Sequence, residues 1–354
     1  MRIVIVGASG NVGTALLRQL AGGDDEVIGV SRRIPSAVAP YDEALWRSVD
    51  VSAATAVDQL TRVFEGADAV VNLAWLFQPT RDAAQLKRVG VGGLLSVARA
   101  VSAAGVPHLV HMSSVGAYSP ATPGTRVDES WPTDGVPTSV YSNHKAAAER
   151  VLDDVQAEHP DLVVTRFRPG LILQASAGSA LLRYGLPGWL PAGAVRLLPV
   201  LPLDGRLALP VVHADDVGRA VVAALRRRIG GAFNLSAEPR IGRAGLAKAL
   251  RAVPVPLPSS VLHAVVDLTF RAHLQRLDVG WVDLAYSVPL LDTSRARREL
   301  DWSPQVDAQT ALDQAVAGML SQDSAASPVL RRRTVRGELS DLLRLGPIAK
   351  RPVP

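Results

Sequence analysis

Short apolar runs alternate with amphipathic stretches along the first third of the chain. The runs RIVIVG (2–7), EVIGVS (26–31), DAVVNLA (68–74) and HLVHMSS (108–114) have strand length and are rich in β-branched residues. Between them NVGTALLRQLAG (11–22), AATAVDQLTRVFEG (53–66) and LLSVARAVSAAG (94–105) place apolar residues at helical spacing, each with a glycine at or near its end. The runs are apolar at nearly every position, so both faces of each strand are buried. The pattern predicts an α/β fold: a doubly wound parallel sheet with helices on both sides. A third strand is expected to end at SVDVS (48–52), and DLVVTRFRPG (161–170) reads as a further one.

After Gly170 the pattern loosens. Residues 185–205 (GLPGWLPAGAVRLLPVLPLDG) are dense in proline and glycine and read as a loop-rich insertion. PVVHADDVGRAVVAAL (210–225) returns to strand-then-helix order, and AFNLSA (232–237) reads as a last core strand. The expected organisation is a Rossmann-like domain over 1–170, rejoined by 211–237. A smaller C-terminal substrate lobe takes 171–210 and 238–320, and 321–354 form a basic, flexible tail. Within that tail VRGELSDLLRL (335–345) could make a short amphipathic helix, but disorder is the expectation, and the tail is expected to be dispensable.

Charge follows this division. From Asp323 onward seven basic residues stand against three acidic ones, +4 of the chain's net +5, so the body is nearly neutral. No body segment interleaves basic and aromatic residues as a nucleic-acid platform would, and no nucleic-acid partner is expected. The chain has no cysteine, which excludes disulfides, thiolate metal sites and cysteine nucleophiles. No uninterrupted apolar run reaches the ~18 residues a membrane span needs, and the opening residues read as a buried strand, not a signal peptide. The cytoplasm is the expected compartment.

Gly7, Gly10 and Gly13 close the first strand and open a helix, with Asn11 and Val12 between the last two. A tight turn needs one residue without Cβ, close approach of a pyrophosphate needs another, and helix–sheet packing favours a third; the helix N-terminus then faces the phosphates. The second strand ends in Ser31, Arg32 and Arg33, without the acid that would accept a ribose 2′-hydroxyl. A guanidinium pair there suits a 2′-phosphate and points to NADP over NAD; otherwise the two arginines belong to a solvated loop. Asp50, with Val51 beside it, would accept from the adenine amino group or stand as a plain loop aspartate. His213, Asp215 and Asp216 are too few ligands on one turn for a metal. The two aspartates read as an N-cap and a loop anchor before the helix from Val217.

YSNHK (141–145) places a tyrosine and a lysine on one helix face, which by itself decides nothing. With GASGNVG (7–13), VVNLAW (70–75), HMSSVGAYS (111–119), RFRPG (166–170) and VVHADDVGRA (211–220) it resembles the extended short-chain dehydrogenases/reductases, the NAD-dependent epimerase/dehydratase family, over residues 1–320. The resemblance implies that Tyr141 is the general acid/base and that Lys145 lowers its pKa and holds the nicotinamide ribose. Ser114 would bind the reacting oxygen, with Ser113 as the alternative. It further implies that Leu73, Ala74 and Trp75 lie beside the cofactor and that Pro169 and Gly170 lie near the nicotinamide.

Two departures matter. Gly90 replaces the asparagine of the family's NVxGT helix, and Leu207, Ala208, Leu209 and Pro210 stand where sugar-nucleotide enzymes carry a diphosphate-binding arginine, with only Arg206 nearby. At Gly90 a polar contact near the cofactor or substrate is missing or supplied elsewhere; the missing arginine, with an apolar substrate lobe, favours a less charged small-molecule substrate. The leading expectation is an NADP-preferring oxidoreductase acting at a secondary alcohol or ketone. A nucleotide-sugar epimerase or dehydratase with transient cofactor reduction is the alternative, and a non-catalytic NADP-binding regulator is the third reading. Oligomeric state stays open; the family often forms a homodimer through a four-helix bundle, in which the Tyr141 helix would take part.

Overall fold

Ile3, Val4 and Ile5 have no exposed surface. Alternate side chains of this first strand enter different cores. Val4 and Val6 pack with Leu60, Phe64, Leu94, Val97 and Leu152 on one side of the sheet. Ile3 and Ile5 pack with Leu16, Leu17, Val217 and Val221 on the other. A strand apolar at every position therefore serves two layers of helices, at roughly 1.5–3 kcal/mol per large aliphatic side chain buried.

The computed structural model describes residues 1–76, 82–185, 193, 199–272 and 277–332. Among these the central sheet has seven strands: β1 (Arg2–Val6), β2 (Glu26–Ser31), β3 (Leu45–Ser48), β4 (Ala69–Asn72), β5 (His108–Met112), β6 (Val163–Pro169) and β7 (Gly231–Leu235). Their spatial order is β7-β6-β5-β4-β1-β2-β3, all parallel. The chain runs outward from β1 through β2 to β3, then crosses to β4 on β1's other side. That reversal opens a crevice at the carboxyl ends of β1 and β4, where open α/β sheets bind ligands.

One face carries α1 (Asn11–Leu20) and α5 (Ala214–Arg227); the other carries α2 (Ala56–Phe64), α3 (Gly93–Ala103) and α4 (Val140–Glu158). The smaller part includes α6 (Val279–Ser287) and α7 (Ala308–Ser321). Strand Leu209–His213 does not join the central sheet. It pairs in parallel with Leu171–Leu173 and antiparallel with Ala237–Ile241 in a sheet of its own, while Val212, the helix after it and β7 pack in the main core. The expected third strand is also displaced: β3 ends at Ser48, and Asp50 lies two residues beyond it. Most of the proline-rich insertion and the whole of 335–345 lie outside the described residues.

Residues 323–332 differ from the flexible tail expected there. Leu330 is 1% exposed against Ala177 and Ala180, and the buried Ser327 hydroxyl donates to the Ser9 carbonyl at 2.8 Å. The length of chain that reads as polar in sequence hides a short, well-packed turn, because small residues (Ala325, Ser327, Pro328) fit where large apolar ones would signal burial.

Candidate active site

A groove of about 510 Å³ runs along the carboxyl edge of β1, β2 and β4. At one end stands the glycine turn. Gly7 has φ +86°, and a Cβ there would lie 2.8 Å from the Ala74 backbone nitrogen. A Cβ on Gly13 would lie 2.4 Å from the Ala8 carbonyl oxygen, so only glycine lets α1 start this close to the turn. Gly10 caps α1 without a side-chain hydrogen bond, which leaves the first-turn amides directed at the groove for an anion. The uncapped helix start and a turn sealed against Cβ groups fit a pyrophosphate.

At the adenosine end, Arg32 and Arg33 line the groove with Val49, Asp50 and Val51. The backbone beneath them is fixed: Ser31 Oγ donates to the Arg33 carbonyl and Ser48 Oγ to the Arg32 carbonyl, at 2.8 and 3.0 Å. Asp50 accepts from the Ser52 amide and hydroxyl at 2.9 and 2.6 Å, a local turn that holds its carboxylate on the groove edge.

The opposite end is built on α4. Ser139 caps this helix by accepting from the Ser142 amide, which sets Tyr141 and Lys145 one turn apart on the face toward β5. Tyr141 hydrogen-bonds Ser114, and Ser114 Oγ also accepts from the Gly116 amide at 3.0 Å. Ser113 is turned away, donating to Glu149 at 2.5 Å, so of the two serines Ser114 stands beside the phenol. Lys145, 2% exposed, donates to the Met112 carbonyl at 2.9 Å and lies 3.6 Å from the centre of the Trp75 ring. Leu73, Ala74, Trp75, Pro169 and Gly170 all line the same groove.

Two electrostatic features depart from expectation. Burial pushes the Tyr141 phenol up to about 12, opposed by its bond to Ser114, so the phenol is not drawn toward neutrality. Burial likewise brings the Lys145 ammonium down to about 7, against the pull of Glu149. Desolvation outweighs the Ser114 hydrogen bond at Tyr141 and the Glu149 charge at Lys145. His111, beneath Trp75, is driven to about 3 by burial first and Lys145 second, and so is neutral.

Gly90 explains its own departure from the family pattern. A Cβ there would come within 3.0 Å of the Trp75 indole. The small residue admits a ring that covers Lys145. Sequence reasoning missed Trp281 on α6, which stacks on Tyr141 with ring centres 5.3 Å apart; no motif marks it. It also missed the pocket residues Pro328 to Arg331. At the start of α5, His213 rather than an aspartate is the N-cap, accepting from the Asp215 amide. Asp216 is the loop anchor, receiving the amides of Gln305 and Val306.

Residues 3–236 match the NAD dependent epimerase/dehydratase family. The chain is 31% identical over 228 residues to the 2′-dehydrokanamycin reductase of Streptomyces kanamyceticus, spanning 64% of this chain and 58% of that protein. An uncharacterized Mycobacterium tuberculosis protein is 25% identical over 316 residues, 88% of this chain but 29% of its own length. The chain thus spans less than a third of the mycobacterial relatives it matches. Among solved structures, the UDP-glucose 4-epimerase of Stenotrophomonas maltophila, with bound NAD and formylated UDP-arabinopyranose, aligns at TM-score 0.68 and 20% identity over 91% of this chain and 98% of that one. The Thermotoga maritima UDP-glucose 4-epimerase aligns at 0.67 and 18%, over 91% and 99%. At these identities the likeness is one of fold.

Proposed function

The chain belongs to the NAD dependent epimerase/dehydratase family, and on that footing we propose that it is an NADP-preferring oxidoreductase that reduces a ketone, or oxidises the matching secondary alcohol, on a weakly charged small molecule. The observation that carries this reading is the convergence, in one groove, of the glycine turn, the arginine pair and the Ser114–Tyr141–Lys145 group.

The first-turn amides of α1 would hold the pyrophosphate, Arg32 and Arg33 would hold the 2′-phosphate, and Asp50 with Val51 would edge the adenine. The chemistry that a bound dihydronicotinamide would supply is a hydride for the carbonyl carbon. The chain's own residues handle the oxygen. Ser114 hydrogen-bonds it and Tyr141 gives it a proton, so the carbonyl becomes an alcohol. A phenol at about 12 keeps its proton at neutral pH, which suits the donor role in reduction. Lys145 is positioned to hold the ribose, and its charge would help the phenolate that remains.

The reacting end is walled by Trp75, Trp281, Leu284, Val288, Leu209 and Pro210, with no lysine or arginine other than Lys145 among its described lining. Among the described lining a nucleotide diphosphate meets no cationic partner there besides Lys145, which favours net reduction over sugar-nucleotide epimerisation. The decisive measurement is stoichiometry. A reductase consumes one NADPH per ketone; turnover of UDP-sugars without net cofactor change would instead support the epimerase reading. The cytoplasmic compartment and a homodimer through α4 belong to the same proposal, the latter checked by sedimentation.

A further inference from the structure

After α7 the chain turns at Gln322, left-handed at φ +57°, and runs back across the groove. Ser179 donates from its hydroxyl to the Gln322 carbonyl and from its amide to the Asp323 carbonyl, both at 3.0 Å. The Ala326 carbonyl accepts from the Ser36 amide at 3.1 Å, tying the segment to the loop after β2. Ser327 donates to the carbonyl of Ser9, inside the glycine turn, and accepts from the Leu330 amide at 3.1 Å. These contacts fix Pro328, Val329, Leu330 and Arg331 on the groove wall shared with Ser9, Gly10, Arg32 and Arg33.

We propose that residues 323–331 are a strap that completes the adenosine end of the cofactor groove, with Arg331 as a third cation for the 2′-phosphate beside Arg32 and Arg33. The proposal rests on the NADP reading above. The strap bridges the two backbone segments that would grip opposite sides of the adenosine phosphates, the glycine turn through Ser9 and the arginine loop through Ser36. Arg33 is held below the usual arginine range by burial first, and then by the positive charges of Arg331 and Arg32, so the three guanidinium groups stand close enough to repel. A dianionic phosphate relieves that repulsion and accepts charge-assisted hydrogen bonds; Asp50 is the acidic neighbour on the same wall. Arg332 is not part of this set, because it turns to Gln322 at 3.2 Å.

The test is calorimetric titration of the full chain with NADPH and, separately, NADH, for the wild type, Arg331→Ala, Arg331→Lys and Arg32→Ala. Arg331→Ala should weaken NADPH binding about tenfold or more, the scale of one lost charge-assisted contact, and leave NADH within about twofold. Arg331→Lys should recover most of the loss. If Arg331→Ala weakens both cofactors equally, or neither, the strap is packing alone and the proposal fails. The NADP reading survives that result as long as the wild type prefers NADPH and Arg32→Ala removes the preference. A wild type without NADPH preference overturns both.

Discussion

Tyr141 lies between two indoles, with the Trp75 ring centre at 6.5 Å and edge-on and that of Trp281 at 5.3 Å and stacked. The ring is held by packing and the hydroxyl by Ser114, so Tyr141→Phe should leave the fold intact while turnover falls by roughly 10²–10⁴, the range for a general acid/base. Stopped-flow NADPH oxidation with a surrogate ketone measures it; full activity in the variant would remove the acid assignment. Lys145 makes a separate prediction about pH. Its folded pKa, about 7, lies below the 10.5 of the free side chain. Between those values the unfolded chain binds more protons than the native one, so native stability rises with pH. The Lys145→Met variant lacks this dependence. Its melting temperature without cofactor should exceed the wild type's near pH 6.5, and the gap should close toward pH 9.5, below the titration of Tyr141. A gap independent of pH would show that the ammonium is not desolvated as described.

Glu149 gathers most of the polar ties between helix α4 and the sheet, beside the Arg166–Asp153 and Lys145–Met112 contacts. Glu149 is 1% exposed and receives Ser113 from the end of β5, Arg168 at 2.9 and 3.0 Å, and Arg166 at 3.2 Å from β6. Burial raises its pKa, but hydrogen bonds from Arg168, the charge of Arg168 and the bond from Ser113 bring the group to about 2. Glu149→Ala leaves the buried Arg168 without a carboxylate partner, while Arg166 keeps Asp153 and Gln156, and should destabilise the protein by about 3–5 kcal/mol, read by urea denaturation. Because the folded pKa is depressed, this stabilisation is present above pH 4.5 and is lost as pH falls toward 2. Lys145 lies one turn from Glu149, so the same anchor sets where the ammonium sits. At the other end of the groove, Gly13→Ala forces a carbon against the Ala8 carbonyl at 2.4 Å. Helix α1 must then move away from the turn, and cofactor affinity should drop at least tenfold by fluorescence titration, with a smaller effect on stability. Unchanged affinity would show that the turn does not hold the phosphates.

At the scale of the molecule, the strap joins the segment after α7 to the first turn of the chain, through Ser327 to Ser9, and to Ala177 and Ala180 through Leu330. Truncation after Gln322 exposes that apolar contact and removes Arg331. The melting temperature should fall by several degrees and NADPH affinity by more than the Arg331→Ala loss. Retention of both would mean that the segment is only loosely docked.

The arrangement of α/β layers was legible in the chain because buried strands need apolar residues at both side-chain parities, as Ile3 to Val6 show. The glycine turn was legible because the φ of Gly7 and the close contacts at Gly7 and Gly13 allow no Cβ. Ser114, Tyr141 and Lys145 were legible only through the set of motifs that resembles the family, since the spacing of a tyrosine and a lysine one helical turn apart decides nothing by itself. What the tertiary structure alone decided is which distant groups meet them. Trp281 arrives from a helix without a motif, Gly90 makes room for an indole fifteen residues earlier in the chain, and a polar-looking stretch near the end packs on the first turn. The direction of the pKa shifts was also decided there. The charge of Glu149, four residues from Lys145, is visible in sequence, but the removal of water around Lys145 is a property of the assembled groove, and it outweighs that charge.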